Sequence, residues 1–179
     1  MKRLSLRIPC AFLAVLLAVL CLASCDTGGN VSASEVLRAM VNSQKSLPAG
    51  AYYTTKSSVG APDYMSPSLL AALYGNGEMP SVMERAECAS YISSGLYAYE
   101  FAVFACVSER DTAEIADLCL ARIDAIRFFW NANAERLSLD ASQADGIAKA
   151  RVIIKGRYVI MALSDDAERA ARAAKACLD

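Results

Sequence analysis

The chain contains no histidine. That absence removes the Ser-His-Asp triad, the Cys-His dyad and every His-ligated zinc site, so any catalysis would have to run on carboxylates, Lys, Tyr, Ser or Cys. No CxxC pair occurs, which leaves a redox or metal motif without support. No repeat of fixed period appears, so a solenoid is not expected. Acidic residues are missing before position 25, whereas Lys2, Arg3 and Arg7 stand there, and the remainder carries 15 basic residues against 19 acidic ones, a net charge of −4. Without a basic stripe to displace counterions from a phosphate backbone, nucleic acid is not an expected partner. Charged residues make up 21% of the chain against 55% hydrophobic, which excludes a disordered chain, and 179 residues suit one domain plus a targeting segment.

The first 24 residues read as that targeting segment. Lys2, Arg3 and Arg7 form a positive start, and residues 8–22 are an apolar run broken only by Pro9. The run ends Leu22-Ala23-Ser24-Cys25, which resembles the lipobox of bacterial lipoproteins. In that chemistry the Cys25 thiol accepts a diacylglyceryl group as a thioether, and the signal peptidase cuts beside it, where small Ala23 and Ser24 fit its site. Cys21 is the competing residue, but bulky Leu20 directly precedes it. The alternative is an uncleaved spanning helix, since the run approaches the roughly 20 residues a bilayer requires. The expected location is the extracytoplasmic face of a cell membrane, lipid-anchored through acyl chains such as palmitate, whose CH₂ groups contribute roughly 0.8 kcal/mol each. Asp26 resembles the inner-membrane retention signal of two-membrane bacteria.

Residues 25–33 are then the lipidated terminus and a short Gly-Gly-Asn tether, and residues 34–179 a single domain. Ser32-Ala33-Ser34-Glu35 predicts a capping box opening a helix that carries Val36, Leu37, Met40 and Val41 and ends near Ser46. Residues 51–65 read as irregular, with one short strand at 52–55. Ser66-Pro67 opens a second helix, with Gly75 as a left-handed stop. Strands are predicted over 81–92 and 96–107, antiparallel about Ser93-Ser94-Gly95. In the second, Ala98, Glu100, Ala102, Phe104 and Cys106 share one face and Tyr97, Tyr99, Phe101, Val103 and Val107 the other. Asp111-Thr112-Ala113-Glu114 predicts another box-like cap on the longest helix, through Ile115, Cys119, Ile123, Ile126 and Trp130. Residues 138–148 form a short helix or loop opened by Asp140. A hairpin about Lys155-Gly156 follows, and Asp165-Asp166-Ala167-Glu168 caps a final alanine-rich helix. This order predicts an α+β fold: an antiparallel sheet of about four strands, the two C-terminal helices packed on one face and the N-terminal helices elsewhere.

The second half of the chain resembles a family of bacterial lipoproteins called domain of unknown function 4358. The likeness rests on Tyr99-Glu-Phe-Ala-Val-Phe-Ala, the helix with Ala121-Arg122-Ile-Asp, the hairpin Lys155-Gly-Arg-Tyr-Val-Ile, and Ser164-Asp-Asp-Ala-Glu, over about residues 80–178. It implies a short envelope lipoprotein with an α+β domain and brings no catalytic residues. The chain departs from the family pattern over residues 130–146.

Four cysteines besides Cys25 fall in the domain: Cys88, Cys106, Cys119 and Cys177. An exported chain permits disulfides, with Cys119 to Cys177 the first pairing to test, although buried thiols acting as small hydrophobes account for them as well. Asp111 with Glu114 and Asp165 with Glu168 sit where helices begin, and capping explains them. Tyr52, Tyr53, Tyr64, Tyr97 and Tyr99 offer stacking rings with polar tips, suited to a glycan or peptide face, or else they cover the second face of the sheet. The expectation is a membrane-anchored, non-enzymatic binding or interaction module without cofactor or metal, its partner an envelope protein, peptide or glycan. The alternatives are an envelope enzyme using carboxylate, Lys or Tyr chemistry, with a deep pocket lined by carboxylates or by Lys149, Lys155 and Arg157, and a structural or assembly factor of the envelope.

Overall fold

The computed structural model describes residues 31–179, and the signal segment, Cys25 and the tether before Val31 lie outside them. Local chemistry sets most element boundaries within that span. Ser32 Oγ accepts from the Glu35 N–H at 3.2 Å and the Glu35 carboxylate accepts from the Ser32 N–H at 2.9 Å, so the expected capping box opens helix α1, Ala33–Ser43. Strand β1 is Gly50–Thr54. Ser66 caps the Leu69 N–H at 3.1 Å and Pro67 fills the first turn of α2, Pro67–Tyr74. Gly75 is not the left-handed residue of its stop; its φ is −120°, and Asn76 and Gly77 take the positive φ instead. Gly75 is required for space, because a Cβ there would lie 1.7 Å from the Glu78 carbonyl oxygen.

The strand expected over 81–92 divides in two. Ser81–Glu84 is one helical turn, α3, and only Glu87–Ser93 is strand, β2. Val82 and Met83 are consecutive yet join the same core, which a helical turn achieves and a strand, whose successive side chains point to opposite faces, does not. Strand β3 is Glu100–Ala105, shorter than the expected 96–107. Residues 94–98 leave the ladder because their backbone groups find other partners: Tyr97 C=O accepts from Ser93 Oγ at 2.8 Å and Ala98 N–H donates to Gln143 Oε1 at 2.7 Å. Helix α4 is Thr112–Asn133, entered through a 3₁₀ turn, Glu109–Asp111, that Ser108 caps. The expected box at Asp111 is therefore absent, and Asp111 faces Arg85 at 3.5 Å. Helix α5 is Ser142–Ala148, strands β4 and β5 are Arg151–Lys155 and Tyr158–Leu163 about a left-handed Gly156, and α6 is Ala167–Leu178, capped by Asp166 on the Arg169 N–H at 3.1 Å.

The fold is α+β, with one antiparallel sheet of five strands in the order β1-β2-β3-β5-β4. The short 50–54 strand joins β2 and makes the fifth. Central strands β3 and β5 are buried at every residue, so alternation separates two cores rather than one wet and one dry face. Phe104, Cys106, Val159 and Met161 point to a core closed by α2, α3 and α4. Phe101, Val103, Ile160 and Ala162 point to a second core closed by α1 and α6. The two long C-terminal helices, α4 and α6, thus cover opposite faces instead of sharing one. The physical reason lies in α6: its stripe of Ala167, Ala170 and Ala174, all fully buried, presents so little volume that α1 packs directly against it, and the pair closes one face together.

The beginning of the domain is fixed at one end of the sheet. Tyr158 O–H donates to the Val31 carbonyl at 2.6 Å and the Ala33 N–H donates to Glu87 Oε1 at 2.9 Å. Both anchors stand where β2 starts and β3 ends.

Candidate functional site

At the other end of the sheet, where β2 passes into β3, the second half of α4 covers the turn and leaves a cleft of about 360 Å³. Leu96, Tyr97, Ile126, Phe129 and Trp130 make its walls, and the pair Glu100–Arg122 supplies its charged lining. The volume is at the lower end of small-molecule sites.

Glu100 opens β3 and sits opposite Leu163. Alternation places it on the face of Ala102 and Phe104, which α4 covers, so a carboxylate enters an apolar core. Three donors receive it there. Arg122 Nη2 donates to Oε2 at 2.7 Å, Arg122 Nε donates to Oε2 at 3.1 Å and Oε1 at 3.3 Å, and Tyr74 O–H donates to Oε1 at 3.2 Å. The Tyr74 ring stands edge-on to Phe104, with centroids 5.2 Å apart. Burial, and then the negative Glu100 beside it, pushes the Tyr74 hydroxyl well above its usual range, so it remains a donor. Burial alone would lower Arg122, but the facing Glu100 outweighs it and the guanidinium is held charged. The side chain of Glu100 is 3% exposed and that of Arg122 22%, so the part of the pair a ligand can touch is the guanidinium.

The five tyrosines singled out in the sequence do not form one face. Tyr97 lines the cleft. Tyr97 and Tyr99 together border a smaller depression with Leu47, Pro48 and Gln143, where burial and then a hydrogen bond with Asp165 raise the Tyr99 hydroxyl. Tyr52 and Tyr53 line a separate groove of about 480 Å³ between α1 and β1, with Arg38, Asn42 and Asp63. Tyr64 is bridged to Thr54 at the edge of β1.

The four cysteines are free thiols. Cys119 lies in the core beneath α4 and Cys177 packs against the core on the opposite face, so the sheet stands between them and a disulfide has no geometric route. Cys88, Cys106 and Cys119 share one core as buried thiols; burial pushes Cys88 up to about 12 and Cys106 up to about 11, where neither is a thiolate at neutral pH. Among the described residues no group of carboxylates and thiols is arranged to hold a metal ion. Of the two carboxylate pairs at helix starts, Asp166 rather than Asp165 is the cap of α6, and Asp111 caps nothing.

Glu100, Arg122, Tyr74 and Trp130 escaped the sequence reading as a site. One signal for it was present: Glu100 is a lone carboxylate on an otherwise apolar strand face, and a buried carboxylate requires a cation or several donors. No family model, curated protein or solved structure matches the chain. The likeness to the lipoprotein family rests on the motifs in the sequence alone.

Proposed function

We propose that this protein is a lipid-anchored, extracytoplasmic binding module, tethered through Cys25, whose recognition site is the cleft between the β2–β3 turn and α4. The observation that carries the reading is the cleft itself, apolar walls around one accessible guanidinium. Its ionisable groups favour binding over catalysis. Arg122 is held charged, so it is not poised to exchange a proton as a general acid or base must, and Glu100 is committed to three donors.

The placement of the cleft agrees with a tethered receptor. Val31 and the cleft occupy opposite ends of a sheet whose strand β3 spans about 17 Å at 3.3 Å per residue. The point where a tether would join the domain is therefore remote from the cleft. Among the described residues no helix is long and apolar enough to cross a membrane.

The test of the anchor is metabolic labelling with a radioactive or clickable palmitate analogue. The wild-type protein is expected to carry label and to partition into detergent, and Cys25→Ala to lose both. Equal labelling of the two would remove the anchor from the reading.

A further inference from the structure

We infer that the cleft binds a carboxylate carried on an apolar body, the carboxylate docking on Arg122 and the body lying among Leu96, Phe129 and Trp130. This rests on the reading of the cleft as the recognition site and names the chemistry of its ligand.

The guanidinium has two edges that match a carboxylate, Nε with Nη2 and Nη1 with Nη2. Glu100 occupies the first, through Nε at 3.1 Å and Nη2 at 2.7 Å. Nη1 has no hydrogen-bond partner among the described residues, and Arg122 is the more exposed member of the pair. The second edge is therefore the polar feature offered to a ligand. Tyr74 shares the Glu100 charge through its own hydrogen bond, which lessens the repulsion a second carboxylate would meet. The pair is also a costly way to build a core, since a buried ion pair commonly stabilises no more than apolar residues of the same volume. A ligand contact explains that cost where packing does not.

The walls select the rest of the molecule. Leu96, Tyr97 and Phe129 are each about half exposed at the mouth and Trp130 is buried deeper, so a planar or branched apolar group passes between exposed rings to a buried one. About 360 Å³ holds one such group with its carboxylate. Two sources share this chemistry: the C-terminal residue of a peptide, and a free aryl or alkyl acid.

Trp130 is the only tryptophan in the chain, so its fluorescence reports on the cleft directly. The full-length protein in phosphatidylcholine vesicles is titrated with N-acetylphenylalanine, its amide, and 3-phenylpropionate. Saturable spectral changes with the acids, at least tenfold weaker for the amide, are expected. A preference for N-acetylphenylalanine over phenylpropionate assigns the peptide C-terminus, and equal affinity assigns a free acid. Ala125→Phe, an exposed position bordering the cleft, is expected to abolish both responses, and Arg122→Lys to weaken them tenfold or more. Should Arg122→Lys fail to fold, the acid-to-amide comparison and Ala125→Phe decide alone. Equal response to acid and amide, or no saturable response to any probe, overturns the assignment. The palmitate label is read separately, so loss of the anchor and loss of this ligand class are distinguishable.

Discussion

Glu100 is the residue on which both the first core and the cleft depend. Its carboxylate is stable inside only because Arg122 and Tyr74 stand against it, and the three side chains come from β3, α4 and α2. Removing one member is therefore worse than removing two. Arg122→Met strands a buried charge and is expected to cost about 3–5 kcal/mol, whereas the double variant Glu100→Met with Arg122→Met is expected to recover most of that loss. Urea denaturation of the two variants beside the wild type measures it. A double variant as unstable as the single one would mean that the charge was never the reason for the loss.

At the scale of the element, α1 ties the tether to the sheet, and its N-terminus depends on one reciprocal pair. The Ser32 backbone and then side-chain hydrogen bonds hold Glu35 below the ordinary carboxylate range. A carboxylate with a depressed folded pKa adds stability that is present above its unfolded value and is lost as pH falls through the folded one. Glu35→Gln is accordingly expected to flatten part of the loss of stability between about pH 6 and pH 3, with little change above that window, in thermal melts across pH. Ser32→Ala, which removes the cap oxygen itself, is expected to cost about 1 kcal/mol at neutral pH.

At the scale of the whole molecule, two cores share one sheet, so loss of the sheet opens both. Cys88, Cys106 and Cys119 lie in the first core, while Cys177 near the end of α6 is partly exposed. A thiol reagent is expected to label Cys177 quickly and the other three together, at a rate that tracks global unfolding. The thiol environment gives a second readout. Burial raises Cys88 to about 12 and Cys106 to about 11, so above the ordinary thiol range the unfolded chain releases protons that the folded chain keeps. Stability should therefore fall as pH rises through that alkaline window, and Cys88→Ser would change that slope. Fast labelling of all four thiols in native buffer would contradict the two-core packing.

Several elements were legible from residue order because their signals act over three or four residues. The Ser32–Glu35 box, the Ser66-Pro67 start and the Gly156 turn each join near neighbours and are present in the structure, while the cap of the last helix falls on Asp166, one residue beyond the expected Asp165. The alternation along β3 was legible for the same reason. What only the tertiary structure decided involves partners far apart in the chain. Glu100 meets Arg122 across 22 positions and Tyr74 across 26, and Ala98 leaves the strand for Gln143 across 45, so no local period announces them. The placement of α4 and α6 on opposite faces likewise depends on α1 filling the space beside a stripe of alanines. Side-chain period assigns a residue to a face of its own element; which neighbour covers that face is settled by volume and charge brought together only on folding.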